Sequence, residues 1–270
     1  MAEKKRRRKK KPAPKRRKKR TLSPWKTIGL YGGSGIGKTT LAAGGPAPMF
    51  LDSNFGMMSI DGKPGYEDVE RTPIHGMKQL DRAYDNLTGT GRKDWTGRRT
   101  VVFDHFDDIQ GQVLDELTVA GAERDPRRIM DEVQQREWGI MGNRLRRHLR
   151  KMKALPMHKV LIFAVGEDRE TGKKQPFLQG SLKSQLPYFC DIIMFMRMDK
   201  KGRRIVYLDD NPRFLAKCRA WWMPSFRWRF REEDTQFLTH LLALINAGGK
   251  GIDAVLKEKE QWVKEAIISR

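Results

Sequence analysis

The stretch around residues 30–40 constrains the fold more than any other part of the chain. An apolar run, Thr27-Ile28-Gly29-Leu30-Tyr31, leads directly into Gly32-Gly33-Ser34-Gly35-Ile36-Gly37-Lys38-Thr39-Thr40. Residues 32–39 match G-x-x-x-x-G-K-[ST] at every position, in the strand-to-helix setting that makes the pattern informative. The glycines let the backbone turn tightly, so that successive N–H groups face inward as a cradle for phosphates, helped by the positive end of the following helix. Lys38 brings an ammonium to the β- and γ-phosphate oxygens, and Thr39 offers its hydroxyl to Mg²⁺.

At 270 residues and 38% hydrophobic content, the chain can bury one sizeable domain with a small addition. Gly44-Gly45-Pro46 stops the helix that carries Leu41-Ala42-Ala43, and Pro48-Met49-Phe50-Leu51-Asp52 reads as a second strand. Residues 76–87 have helical spacing through Met77, Leu80, Tyr84 and Leu87, after which residues 88–99 form a polar loop. Thr100-Val101-Val102-Phe103-Asp104 is a third strand, and its terminal acid is placed to reach Mg²⁺ beside the phosphate loop through a water. Helices are expected over 107–121 and 126–155. The second pairs an apolar face (Ile129, Val133, Met141, Leu145, Leu149, Met152) with a basic one (Arg144, Arg146, Arg147, Arg150, Lys151, Lys153). That basic face suits a solvated surface or a nucleic-acid path, with Arg144, Arg147 and Lys151 as the candidate contacts.

Residues 160–165, 192–196 and 204–208 supply further strands, and a strand around 214–218 is expected to pair with the last of these. Residues 232–246 and 252–268 read as two helices separated by Gly248-Gly249-Lys250-Gly251. Strands alternating with helices imply an α/β fold: a mainly parallel sheet with helices on both faces and the ligand at the carboxyl ends of the strands. The expected organisation is a disordered basic arm over 1–22, a core over 23–231 and a C-terminal helical segment over 232–270.

Charge narrows the partners. The net charge is +22, and residues 4–20 alone carry 14 Lys/Arg and no acid; without that segment the chain still carries +8. Pro12 and Pro14 and the lack of apolar residues keep this arm from folding by itself. Capture of phosphate backbones is one reading; nuclear import, contact with an anionic membrane surface, or simple solubilisation are the others. Cys190 and Cys218 show neither metal-ligand spacing nor a disulfide framework, which suits a reducing cytosol. With no apolar run long enough to span a bilayer and no signal-peptide core, the expectation is a cytoplasmic protein without a membrane partner. Near the end, Trp221, Trp222, Phe226, Trp228 and Phe230 interleave with Arg219, Arg227, Arg229 and Arg231. Such a mixture suits single-stranded nucleic acid, because bases stack on rings while arginines hold phosphates. Alternation over 226–231 also suits a half-buried strand, which leaves Trp221 and Trp222 as the better stacking candidates.

The order of these pieces resembles the phage-encoded, single-domain RecA-like P-loop ATPases associated with single-strand annealing and recombination. The residues that carry the resemblance are the phosphate loop, Phe50-Leu51-Asp52, Val101-Val102-Phe103-Asp104, Leu161-Ile162-Phe163-Ala164 and the run from Gly180 to Asp191. It spans about residues 25–230, is strongest at the loop, and excludes the basic arm and the final helices. The resemblance implies ATP and Mg²⁺ as ligands, single-stranded DNA as partner, work in phage DNA replication or recombination, and a single-strand-binding protein nearby. Lys217 and Arg219, in Ala216-Lys217-Cys218-Arg219, are similar to the K-x-[KR] element whose cations reach a neighbour's γ-phosphate, which implies a homo-oligomer. An ordinary polar strand face is the alternative.

Two departures bear on hydrolysis. Asn54 stands where the family places a glutamate that orients the attacking water, leaving Asp52 or Glu167 to substitute, and Gly166 stands at a His position. Three functional readings therefore stay open. They are a DNA-dependent ATPase, a nucleotide-gated DNA-binding protein with little turnover, and a P-loop motor or switch acting in partition, packaging or helicase loading.

Overall fold

The computed structural model describes residues 23–268 except 126, 130 and 131. The basic arm over 1–22 therefore lies outside the described residues. Apolar runs form the centre of one large sheet: β1 (Thr27–Gly32), β2 (Pro48–Asp52), β4 (Thr100–Asp104), β5 (His158–Phe163) and β8 (Ile192–Met198). Around them lie β3 (Glu70–Pro73), β9 (Arg204–Tyr207), β10 (Lys217–Cys218) and β11 (Arg227–Phe230), while β6 (Val165–Glu167) and β7 (Lys174–Pro176) make a separate hairpin. The order is β11-β9-β8-β1-β5-β4-β2-β3, with β10 paired to β8. From β8 to β3 all neighbours are parallel; β9, β10 and β11 add antiparallel pairs at the other side. The fold is α/β: a mainly parallel sheet with helices packed on both faces.

Strand alternation sends successive side chains to opposite faces. Tyr31, Leu51, Val101, Phe103, Leu161 and Phe163 face α2 (Met77–Leu87), α3 (Phe106–Arg124), α4 (Gln135–Lys153) and α5 (Ser181–Phe189). Ile28, Leu30, Phe50, Val102, Val160 and Ile162 face α1 (Lys38–Ala43), α6 (Phe237–Glu258) and α7 (Glu260–Ala266). Each fully buried side chain of this size contributes about 1.5–3 kcal/mol, so both faces share in holding the phosphate-loop strand at the middle of the sheet.

The structure corrects several boundaries. Edge strand β3 is a polar four-residue segment that periodicity does not reveal; its parallel pairing with β2 defines it. The expected helix over 126–155 starts only at Gln135, where the Glu137 carboxylate accepts the Gln134 N–H at 2.9 Å and the guanidinium of Arg128 at 2.6 Å. The strand expected around 214–218 shrinks to β10, which pairs with β8 rather than β9; β9 takes β11 instead. The final helices keep their glycine break, with non-helical angles at Gly248 (φ 68°, ψ 168°), and they share the core with α1: Thr239 donates its backbone N–H and its hydroxyl to the Gly44 carbonyl.

Candidate nucleotide site

The phosphate loop leaves β1 at the carboxyl edge of the parallel strands, and neighbouring backbone dictates where its glycines stand. A side chain at Gly32 would run into the Met196 carbonyl oxygen of β8. Gly35 and Gly37 have φ of 67° and 92°, the left-handed region that glycine enters without strain. Methyl groups built on Gly33 and Gly35 meet nothing within 4 Å, so the mouth of the loop is open. Helix α1 is only six residues long, so the cradle depends mainly on the loop amides and Lys38 rather than on a long helix dipole.

Lys38 is buried, and its Nζ donates to the carbonyl oxygens of Gly32 (3.1 Å) and Gly33 (2.9 Å), which aims the ammonium back across the loop. Burial lowers its pKa, while Asp104 and Asp107 pull it back up. The Thr39 hydroxyl donates to Asp104 Oδ2 at 2.8 Å. Asp104 is fully buried at the end of β4, and its other oxygen, Oδ1, has no hydrogen-bond partner. Burial raises its pKa; His105, 3.5 Å from Oδ1, and the Thr39 hydroxyl act in the opposite direction. A buried, half-satisfied carboxylate touching a hydroxyl next to a phosphate cradle is a donor set that a hard divalent cation would complete. The residues present therefore fit Mg²⁺ and a nucleotide.

Asp52 lies beside Asp104 in the β2–β4 register and is also buried. Its Oδ1 accepts the backbone N–H groups of Asn54 and Gly56, both at 3.3 Å, which gives this side chain a part in shaping the loop after β2. Asn54 Oδ1 accepts the Gly56 N–H (3.0 Å), which leaves its Nδ2 to donate to His105 Nδ1 at 2.6 Å. His105, two links from the phosphate loop, carried no signal in the sequence beyond following Asp104. Glu167 sits exposed on the β6–β7 hairpin.

Lys217 and Arg219 lie elsewhere. Cys218 pairs with Ile192, which pairs with Ile28 at the start of β1, so this pair sits at the opposite edge of the sheet from the phosphate loop. Lys217 Nζ donates to the carbonyls of Pro187 and Cys190 at the end of α5, and Arg219 pairs with Asp191 at 3.1 Å. Within one chain neither cation reaches the phosphates, and Lys217 is already engaged. Arg144, Arg147 and Lys151 are exposed on α4, with Lys151 over the Tyr84 ring (5.5 Å). Trp221 is exposed, whereas Trp222 is half-buried and donates Nε1–H to the Leu244 carbonyl at 3.1 Å.

A strand, a glycine-rich loop, a buried lysine, and a threonine bonded to an aspartate on a strand separated from the first by β5 together define a P-loop nucleoside-triphosphatase fold. The sequence matches the AAA domain family over residues 25–220, and the chain belongs to that family. No curated protein matches it. Among solved structures, the KaiC-like protein PH0186 from the hyperthermophilic archaeon Pyrococcus horikoshii OT3 aligns over 76% of this chain and 85% of that one. The identity is 13% and the TM-score 0.44. None of the described helices is long and apolar enough to cross a membrane.

Proposed function

We propose that this chain binds Mg²⁺-ATP and hydrolyses it in response to single-stranded DNA, in annealing, recombination or replication of the phage type. The observation that carries the nucleotide half is the Thr39–Asp104 hydrogen bond of 2.8 Å, with Asp104 Oδ1 left unpartnered beside the loop that holds Lys38. Mg²⁺ would be held by Thr39 and Asp104 and, when bound, would offset the negative charge of the phosphates. The chain's own residues do the rest. Loop amides and Lys38 hold the phosphates, Thr39 and Asp104 hold the cation, and Asp52 and Asn54 fix the loop that closes one side of the site. The DNA half is supported by the net charge of +22 and the exposed Trp221. The same reading carries its other partners: further copies of the chain, with Arg219 the freer of the two candidate trans-acting cations, and a single-strand-binding protein, in a cytoplasmic setting.

Asn54 favours a second reading. An amide takes no proton, so nucleotide could act here as a conformational ligand with little turnover. ATP hydrolysis measured with and without single-stranded DNA at two salt concentrations, with Lys38→Ala as the blank, separates them. The first reading expects stimulation by DNA that needs Lys38 and fades with salt. Tight nucleotide and DNA binding without turnover would establish the second, and indifference to every nucleic acid would remove the DNA half of both.

A further inference from the structure

Where β1, β5 and β8 begin, on the edge of the sheet remote from the phosphate loop, the surface carries a groove of about 530 Å³. Its walls come from separate parts of the chain: Trp25 and Lys26 before β1, Lys153 at the end of α4, and Arg219, Trp221 and Trp222 after β10. Trp221 is 78% exposed and meets Trp222 edge-on with ring centroids 5.9 Å apart. The pair is held in place. Trp222 is tied to the Leu244 carbonyl, and Trp221 lies across Gly249, where an added Cβ would stand 3.4 Å from the ring.

The charge here is one-sided. Asp191 is the only carboxylate among the described lining residues, and it is taken up by Arg219 and by the Thr27 N–H (3.0 Å). Lys159 is buried, with its Nζ donating to the Leu155 and Met157 carbonyls; burial chiefly, then the neighbouring Lys153, brings its pKa down to about 8. Ser23 and Pro24 line the rim. Lys26 Nζ rests on the Ser23 carbonyl (2.6 Å) and Lys153 Nζ on that of Phe189 (3.2 Å), contacts that leave both charges without a counter-ion among the described residues. An open indole face among such cations matches a polymer with free base faces and a phosphate backbone, whereas a duplex hides its base faces.

We infer that this groove binds single-stranded nucleic acid, with a base stacked on Trp221 and phosphates on Lys26, Lys153 and Arg219. The inference rests on the nucleic-acid reading above and adds a place for it, on the far side of the sheet from the nucleotide. The test uses the full-length chain. Photocross-linking to iodouracil-containing DNA and RNA oligonucleotides is mapped by mass spectrometry, alongside anisotropy titrations of Trp221→Ala, Trp221→Phe and a Lys153→Glu/Arg219→Glu variant, with thermal melts for folding. Cross-links at Trp221 or Trp222 are expected, with affinity falling about 5- to 150-fold in Trp221→Ala, the worth of one stacked base, and largely kept in Trp221→Phe. Binding to RNA alone would keep the groove and overturn the DNA reading. Wild-type binding with cross-links only elsewhere, and an unaffected Trp221→Ala, overturns the groove but leaves the nucleic-acid reading standing. Failure of the wild type to bind either polymer, with or without capture by acidic vesicles, overturns both.

Discussion

His158 opens β5 with its ring buried, edge-on to Trp25 at 5.2 Å, and its Nδ1 accepts the Lys26 N–H at 3.2 Å. Burial, then Lys159 and Lys26, depress its pKa to about 4. In the unfolded chain a histidine titrates near 6.5, so below that pH the unfolded state takes up a proton that the native state refuses. Stability from this residue is therefore complete above about pH 6.5 and is lost as the pH falls toward 4, by about 3 kcal/mol in all. His158→Gln should flatten the fall in denaturation midpoint between pH 7 and 4.5; an equally acid-sensitive variant would assign the loss to other groups. At this scale the phosphate-loop residues were legible in the sequence, because the chemistry of each is local. Asp52 was not: its acid was visible, but its bonds to the Asn54 and Gly56 amides depend on a loop whose path no motif describes.

At the scale of elements, β11 shows how one pattern serves two readings until burial decides. Arg227 and Arg229 are exposed, while Trp228 and Phe230 are buried, and Trp228 stacks on Trp262 of α7 with centroids 5.4 Å apart. Trp228 is thus core. Trp228→Ala should cost about 3–5 kcal/mol of stability, measured by denaturant unfolding, and leave oligonucleotide affinity of the still-folded protein unchanged. A variant of normal stability with weakened binding would reverse the assignment. Apolar runs such as 100–104 announce a strand because burial on both faces demands continuous hydrophobicity. β3 announces nothing, and β10 was legible only as a longer strand with the wrong partner, since short edge or capping strands are defined by hydrogen bonds to a partner distant in sequence. The start of α4 was misplaced for a related reason: Ile129 and Val133 continue its apolar spacing, but the turn held by Arg128 and Glu137 intervenes before the helix begins.

For the whole molecule, a ligand that binds only the native state must raise its melting temperature. Mg²⁺-ATP at about 100 times its Kd should add about 2.7 kcal/mol, seen as a thermal shift that disappears with EDTA and in Lys38→Ala; a shift that survives Lys38→Ala would place the nucleotide elsewhere. The sequence by itself determined that a phosphate cradle follows the first strand, that an acid ends another strand, and that the fold is a mainly parallel α/β sheet. These are matters of short spacing, in which glycine conformation and side-chain alternation act over a few residues. Only the tertiary structure decided which strand lies between β1 and β4, that Thr39 and Asp104 meet, and that Lys217 and Arg219 stand at the far edge from the phosphates. Those outcomes depend on pairing between segments tens of residues apart, set by how two hydrophobic faces close over one sheet, and no local pattern records that choice.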